Sequence, residues 1–465
     1  MKTKRYLGAK KSILAMWLAL LLPAVAHSQT LEQVVAHTLD TNPELRIAFN
    51  RFKEKEEQVN QAFGGFLPTV DVSAGYGVEN TDSPSSRRSN GRNNGDVELK
   101  RGEAGLTIRQ ILFDGFYSFS ELDRTQYEAS AEQWALYSAA EDMALEVSKV
   151  YINYLRNQQV LTLAEKNLQT HQSIYDQIKE RTDSGLGSTA DLSQISGRLA
   201  RANANVISAR NNFFDAKAEF AKVAALDPDG LITPVPDTDL LPKTFADVSV
   251  LAQENHPILK SAAADIQAAE NQKDSAQANY YPTISLELDG NWNNNLDGED
   301  GSGIGSAQVG GYNNDLVAMV KMRYNLFDGG RDLAKEKGAA YKVSESKEIR
   351  ERAYRQVIEG ANLAWNAYES LGPQKNFIKE HVIASKETQS AYTQQFNLGQ
   401  RTLLDLLDTE NELFEARKDY LQAEYDEIIA QYRVLNATGQ LLNSLRVSRP
   451  QEWLGEDTYE GGVTQ

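Results

Sequence analysis

The spacing of apolar residues changes along the chain in a fixed order, and it does so twice. Residues 31–63 and 248–279 are rich in Ala, Glu and Gln and carry apolar side chains at helical spacing. Pro68 and Pro282 follow these segments, and a proline blocks a continuing helix. Each half of the chain therefore opens with a predicted helix that ends just before its proline.

An alternation of period two comes next and predicts β-strands. The apolar positions are Val70, Val72, Ala74, Tyr76 and Val78 in the first half, and Ile284, Leu286, Leu288 and Trp292 in the second. Return strands follow over 104–108 and 316–324, and the Asn/Gly/Ser-rich stretches between the strands, about 80–102 and 293–314, predict loops. Each half thus contributes one β-hairpin, about 67–113 and 282–327.

The pattern returns to a helix after each Phe-Asp-Gly sequence. Residues 116–183 and 331–397 contain one proline, Pro373, and about 68 helical residues would reach roughly 100 Å. Gly185 and Gly399 end them, and further helices of roughly 36 and 44 residues follow. Helices of this length need partners along their whole length, which predicts coiled-coil-like packing.

The two halves are repeats of one unit at an offset of 214 residues. At that shift Pro43 meets Pro257, and Leu112-Phe113-Asp114-Gly115 meets Leu326-Phe327-Asp328-Gly329. A Pro- and Asp-rich linker separates the halves. We therefore divide the chain into repeat 1 over 29–226, a linker over 227–247, repeat 2 over 248–445 and a C-terminal tail over 446–465.

The first 28 residues have the pattern of an export signal. Five basic residues precede the apolar run from Ile13 to Leu22, and small residues follow at Ala26-His27-Ser28. The run of about ten residues is short of the roughly 20 that span a membrane, which favours a signal peptide over 1–28 to the alternative of an uncleaved anchor. We expect a mature chain that starts near Gln29 and, because the chain has no cysteine, carries neither a lipid anchor nor a disulfide.

Charge and motifs exclude several functions. Removal of the five positive residues of the signal changes the formal charge from −17 to −22, the opposite of what a nucleic-acid-binding protein shows. The sequence contains no phosphate-binding Gly-rich loop, zinc-protease motif or nucleophile elbow. We therefore expect no enzyme, no cofactor and no metal site.

The predicted strands raise a question of closure. Alternating strands of this length are typical of membrane-spanning β-strands, and a membrane sheet must close so that no backbone edge faces lipid. Four strands cannot close alone. Either several chains pool their strands, or the hairpins are soluble; aromatic residues at the helix–strand junctions, such as Phe113 and Tyr281, favour the membrane.

The whole mature chain resembles the TolC-like family of outer-membrane export and efflux channels. The resemblance rests on the duplicated plan, the paired Leu-Phe-Asp-Gly turns and the segment Phe396–Asp408. It implies a mainly α fold with β-structure: a long α-helical barrel in the periplasm, and four transmembrane strands per chain that join a 12-stranded β-barrel shared by a homotrimer. Implied partners are a periplasmic adaptor (membrane fusion) protein, an inner-membrane transporter of the ABC type and outer-membrane lipid.

The resemblance also implies a periplasmic gate. Its selectivity ring matches Asp405 and Asp408, and the contacts that stabilise it match Arg401, Asp191 and Phe396, the last at a position where relatives carry tyrosine. Helix capping is the alternative role for Asp191 and is compatible with gating for Asp405, because Ser188-Thr189-Ala190-Asp191 and Thr402-Leu403-Leu404-Asp405 both fit a capping box.

The predicted function is that of a passive trimeric duct in the outer membrane of a Gram-negative bacterium. The opening helix, with Asn42-Pro43-Glu44-Leu45, is similar to that of members that serve type I secretion, including adhesin export. The resemblance therefore implies protein secretion, and efflux of small molecules is also open. The alternative function is a periplasmic helical scaffold or adaptor that forms no channel.

Overall fold

The computed structural model describes residues 29–82, 96–299 and 309–455, so the predicted signal peptide and residues 456–465 of the tail lie outside the described residues. The helices are α1 (Leu31–Thr41), α2 (Pro43–Phe63), α3 (Tyr117–Asp183), α4 (Thr189–Ala224), α5 (Phe245–Asn255), α6 (Pro257–Gln277), α7 (Arg331–Asn397), α8 (Leu403–Ala437) and α9 (Leu441–Ser444). The strands are β1 (Thr69–Asp82), β2 (Asp96–Phe113), β3 (Thr283–Glu299) and β4 (Val309–Arg323).

The repeat is visible in these bounds. Each helix from α5 to α8 begins 214 residues after its counterpart from α1 to α4, and β3 begins 214 residues after β1. The long helices α3 and α7 both have 67 residues, and Pro373 lies inside α7. The last long helix, α8, has 35 residues and ends at Ala437, whereas the sequence predicted about 44. It ends there because Gly439 adopts a positive φ of 68°.

The described chain divides into two compact units. The first takes in the chain up to Arg46, Ala139–His256 and Val357–Pro450, and the second takes in Ile47–Ser138, Pro257–Gln356 and the chain from Gln451 onwards. Within the described ranges, no helix is both long and apolar enough to cross a lipid bilayer.

The opening helix of each half is interrupted, so the prediction of one continuous helix was wrong at two places. Pro43 and Pro257 each begin a new helix, because a proline at the first helical position has no N–H that could bond to the preceding turn. Asn42 caps the second of these helices in the first half: its Oδ1 accepts from the Glu44 backbone N at 2.8 Å.

The strands form one antiparallel sheet in the order β1-β2-β3-β4. Its register places Val72, Leu106, Gly290 and Leu316 in one row across the sheet. Because side chains alternate along strands, the predicted apolar positions within the four strands share one side, here called the apolar face. The opposite face carries polar pairs, such as the Thr107 Oγ1 that donates to Asp289 Oδ1 at 3.0 Å.

The strands extend into segments predicted as loops. β2 begins at Asp96 and β3 ends at Glu299, well inside the Asn- and Gly-rich stretches. Backbone N–H and C=O groups form the ladder whatever the side chains are, so an apolar alternation underestimates the length of a strand outside its apolar section.

Each Phe-Asp-Gly turn connects a strand to a long helix. The Asp114 carboxylate accepts from the Ser118 backbone N at 3.0 Å, and Asp328 accepts from the Asp332 backbone N at 3.0 Å. A Cβ at Gly115, which has φ +73°, would lie 2.5 Å from the Ala278 carbonyl oxygen. The motif is therefore a helix cap with an obligatory glycine.

The first unit buries an acidic side chain against the C-terminal segment. Glu141 of α3 is 1% exposed, and its Oε2 accepts from the Leu442 backbone N at 3.2 Å. Arg449 Nη2 lies 3.5 Å from Glu141 Oε1. Burial raises the pKa of Glu141 to about 7, although the Leu442 N–H and Arg449 oppose this increase.

Candidate gate at the helix tips

The first unit contains two sharp chain reversals, one per repeat, here called the first tip (184–188) and the second tip (398–402). At the first tip Leu186 N donates to Arg181 O at 2.8 Å, and at the second Gln400 N donates to Gln395 O at 2.9 Å. Gly185 and Gly399 have φ of 74° and 75°. Both tips are thus the glycine-terminated helix ends that satisfy the last helical carbonyls.

The helices that follow the two tips are capped differently. Thr402 and Asp405 form the predicted capping box, with Asp405 N donating to Thr402 Oγ1 at 3.3 Å and Thr402 N donating to Asp405 Oδ2 at 3.2 Å. Ser188 accepts from the Ala190 N at 3.1 Å, so the predicted box with Asp191 is absent there. The second tip is therefore the more completely capped.

A small hydrophobic cluster joins the two tips within one chain. It consists of Ile174, Ile178, Ile195, Leu403, Leu406 and Leu407, with Tyr175, Leu192 and Phe396 packed against it. These residues come from α3, α4, α7 and α8. The ends of the two repeats are therefore held together by apolar packing, which is non-directional and permits some relative movement.

An ion pair reinforces this contact. Arg198 Nη2 of α4 donates to Asp408 Oδ1 of α8 at 2.6 Å, and the Asp408 side chain remains 57% exposed. The pair links a residue of repeat 1 to one of repeat 2. An exposed pair of this kind contributes little to stability, roughly 0–1 kcal/mol, so it can be broken without loss of the fold.

Asp405 is also accessible but is held by its own helix. Hydrogen bonds from the Thr402 side chain and backbone, with the nearby Arg401, lower the pKa of Asp405 below its usual value. Asp405 and Asp408 lie three residues apart on α8, on one side of the helix. Two carboxylates are thus presented close together beside the second tip.

Arg401 and Phe396, two further predicted gate residues, make contacts within the single chain. Arg401 Nε donates to Gln395 Oε1 at 3.0 Å, and its guanidinium lies 4.2 Å from the Tyr392 ring centre. Phe396 packs on the tip cluster, with the Arg181 guanidinium 5.5 Å from its ring. The Asp191 carboxylate has no hydrogen-bond or ion-pair partner in the described part of the chain.

Sequence reasoning did not identify Arg198 or Arg181. Both cations lie in repeat 1, far in the sequence from the residues they contact. Arg198 follows the buried Ile195 by three residues, so it lies at the edge of the buried face of α4. This spacing was the feature of the sequence that indicated a contact for Arg198. The partner on α8 could not be named without the register between the two tips.

A family model for outer membrane efflux proteins matches residues 34–225 and 248–440. The chain belongs to this family. The prediction of a TolC-like outer-membrane channel is therefore confirmed, and the family consists of channels rather than enzymes. The scaffold alternative is set aside on the same ground.

Individual relatives cover nearly the whole chain. The outer membrane efflux protein BepC of Brucella suis biovar 1 is 23% identical over 416 residues, which cover 90% of this chain and 86% of BepC. The outer membrane protein TolC of Escherichia coli K12 is 23% identical over 433 residues, with coverages of 90% and 84%. The crystal structure of the Campylobacter jejuni CmeC outer membrane channel has a TM-score of 0.75 at 15% identity and covers 88% of this chain and 86% of its own.

Family membership gives the cellular context. The protein is an outer-membrane protein of a Gram-negative bacterium, with its helical part in the periplasm. TolC-family channels are trimeric and work in tripartite systems with adaptor proteins and inner-membrane transporters.

Proposed function

We propose that three copies of this chain form a passive duct across the outer membrane, closed at its periplasmic end by the two tips. The joining of the tips by the hydrophobic cluster and the Arg198–Asp408 ion pair is the observation that carries this proposal. The ion pair connects the two repeats and contributes little to stability because it is exposed. A closure that opens and closes needs a contact that can be broken at low cost in free energy.

The unpaired surfaces of one chain support an assembly. The sheet ends at β1 and β4, whose outer backbone edges have no partner in the described chain. A sheet that lies in lipid must pair all its backbone groups, so neighbouring chains supply the missing edges. Three chains of four strands each would close such a sheet.

Asp405 and Asp408 are the proposed selectivity residues. In a trimer they give six carboxylates, and a ring of carboxylates attracts cations and binds divalent ions in a narrow passage. The low pKa of Asp405 keeps that carboxylate charged at neutral pH. Arg198 neutralises part of this charge while the tips are joined.

Single-channel recordings of the purified trimer test the ring. The double variant Asp405→Ala/Asp408→Ala should lose cation selectivity and block by divalent ions from the periplasmic side. Asp419→Ala is the matched control, because it is an exposed aspartate further along α8. Unaltered selectivity and divalent block in the double variant would refute the ring.

The closure is tested separately through Arg198. Arg198→Ala removes the ion pair but leaves the hydrophobic cluster in place, so the mean conductance and the open fraction should increase. Arg201→Ala, an exposed arginine on the same helix, serves as the control. A conductance equal to that of the wild type would show that the ion pair does not hold the tips closed.

For the cargo, we propose export of protein in a type I secretion assembly with a periplasmic adaptor and an ABC transporter. The support is the similarity of the opening segment Asn42-Pro43-Glu44-Leu45 to that of family members that serve type I secretion. In this chain the segment forms the capped start of α2. Efflux of small molecules is the second candidate, favoured by the description of the family. A deletion strain separates them: loss of a large adhesin or toxin from the cell surface and medium supports secretion, whereas increased drug sensitivity alone supports efflux.

A further inference from the structure

Three aromatic side chains lie near one level of the apolar face. The register places Tyr76 of β1 and Tyr312 of β4 in the same row across the sheet, through Gly102 and Asn294. Trp292 lies on the next apolar-face row towards the helices. The exposures of Tyr76, Trp292 and Tyr312 are 69%, 45% and 79%.

The chemistry of the same face changes at this level. Towards the helices its side chains are mainly apolar and uncharged, such as Leu106 and Val320. In the other direction Lys100 stands opposite Val78, and Glu98 stands opposite Asn80. Charged side chains are strongly disfavoured in hydrocarbon, so the apolar section of this face ends at the aromatic level.

A second group of aromatic rings marks the other end of the apolar section. Phe113, Phe116 and Tyr281 contact one another edge-to-face, with ring centres 5.5 to 6.5 Å apart. Tyr281 and Trp292 are 11 residues apart. At about 3.4 Å per residue this is roughly 37 Å along the strand, and a tilt of about 45° reduces it to about 26 Å, close to the ~25 Å apolar band of outer-membrane proteins.

The indole of Trp292 lies over a glycine. A Cβ built on Gly290 would be 2.8 Å from Cη2 and 3.2 Å from Cζ3 of Trp292. Gly290 precedes Trp292 by two residues, so both lie on the apolar face, and the ring folds back towards the apolar section. Any larger side chain at this position would displace the ring.

We propose that Trp292, Tyr76 and Tyr312 form the outer aromatic belt of the lipid-facing surface, and that Gly290 provides the space in which the Trp292 ring lies at the lipid–water boundary. The partner is the headgroup region of the outer leaflet. Tyrosine and tryptophan suit this region because one end of each ring is apolar and the other is a hydrogen-bond donor. The inference rests on the proposed assembly of the strands into a membrane-spanning sheet.

Tryptophan fluorescence of the full trimer in lipid vesicles tests the belt. Trp134, Trp365 and Trp453 lie outside the sheet, so quenching by brominated phosphatidylcholine reports on Trp292. Lipids brominated near the headgroup should quench more strongly than lipids brominated near the chain ends. Trp292→Phe should lose most of this quenching, and Trp365→Phe, the matched control, should retain it.

The glycine is tested in the same vesicles. Gly290→Val should change the ratio of shallow to deep quenching, because the ring is displaced. Gly77→Val is the control, since a Cβ there meets nothing within 4 Å and points to the other face. An unchanged ratio in Gly290→Val would overturn the role of the glycine.

Two outcomes separate the belt from the proposed function. Strongest quenching by lipids brominated near the chain ends would place Trp292 deep in the membrane and overturn the belt, while the membrane-spanning sheet would stand. No quenching by any brominated lipid would show that the sheet does not meet lipid, and the proposed duct would fail together with the belt.

Discussion

The helices α3 and α7 have the same length and the same place in the two repeats, yet their surroundings differ. α3 supplies several of the largest fully buried side chains of the described chain, namely Leu136, Tyr137, Tyr151 and Ile152. α7 buries few apolar residues, among them Ala361 and Trp365. The two copies of the repeat unit therefore differ in how much apolar surface the long helix buries within the single chain.

The exposed residues of α7 show what that difference means. Tyr341 and Phe377 are 77% and 72% exposed, and Leu363 is 56% exposed. Large apolar side chains repeated along one helix are typical of a surface that another subunit covers. We expect assembly to account for the asymmetry, with α3 stabilising the single chain and α7 contacting neighbouring chains.

A matched pair of leucine substitutions tests this difference with the largest expected effect. Leu136→Ala creates a cavity at a fully buried site and should cost about 2–5 kcal/mol of unfolding free energy. Leu363→Ala removes an exposed side chain and should change the stability of the single chain by at most about 0.5 kcal/mol. It should instead weaken the oligomer.

Thermal unfolding followed by circular dichroism and sizing at several protein concentrations measures the two effects. Leu136→Ala should lower the midpoint at every concentration, whereas Leu363→Ala should shift the dissociation of the oligomer. If Leu363→Ala lowered the midpoint as much as Leu136→Ala in an intact oligomer, the proposed division of roles would be wrong.

A second difference between the helices is the buried Glu141, whose counterpart in α7 is the exposed Arg355. Because burial raises the pKa of Glu141 from 4.5 to about 7, the folded protein holds this proton more tightly than the unfolded chain does. Its contribution to stability is therefore complete below pH 4.5 and is lost as the pH rises through 7. A shift of this size corresponds to at most about 3 kcal/mol.

Glu141→Gln should remove that part of the pH dependence. The glutamine oxygen can still accept from the Leu442 N–H but does not ionise. The unfolding midpoint between about pH 5 and 8 should fall less steeply with pH than in the wild type, and Arg355→Gln should leave the wild-type slope in place. Equal slopes in all three proteins would contradict the assignment.

The smallest predicted effect separates the two tips. Thr402→Ala removes a complete capping box and should cost about 1 kcal/mol, while Ser188→Ala removes a single bond and should cost less. Hydrogen exchange of the first-turn amides of α4 and α8 measures both. If the first-turn amides of α4 in Ser188→Ala exchanged faster than those of α8 in Thr402→Ala, the Ser188 cap would be the stronger one and the prediction would be wrong.

Thr402→Ala also changes the titration of Asp405. The Thr402 hydrogen bonds lower the pKa of Asp405 in the folded protein. They therefore stabilise the fold above the pKa that Asp405 has in the unfolded chain, and this stabilisation is lost as the pH falls through the pKa of Asp405 in the folded protein. Without Thr402 this acid sensitivity of the second tip should decrease. Exchange rates of the α8 amides in acid compared with neutral pH provide the measurement.

The sequence predicted periodic features well and capping features less well. The 214-residue offset and the alternation of β1 and β3 depend on repeated side-chain types, and both are evident in the order of residues alone. The breaks at Pro43 and Pro257 were missed, because the apolar spacing continues across them while only the missing N–H divides the helix. Strand ends in Asn-rich segments were missed because backbone pairing leaves no side-chain pattern.

At the tips, the sequence indicated the residue types but not the pairs. The capping box at Thr402 follows from spacing alone and was predicted. The partner of Asp408 is 210 residues away on α4, and its identity depends on how the two tips meet. Within the single chain Arg401 bonds to Gln395, six residues before it, a partner that the spacing of the sequence did not identify.

The open edges of β1 and β4 have a genetic consequence. A closed sheet built from three identical chains pairs both edge strands of every chain. One subunit with a blocked edge therefore prevents closure of any trimer that contains it. A proline placed in β4 where an edge N–H must pair would act in this way. Produced in equal amount with the wild type, such a subunit would leave only about one ring in eight intact under random mixing. Its allele would be dominant, although it encodes no toxic activity.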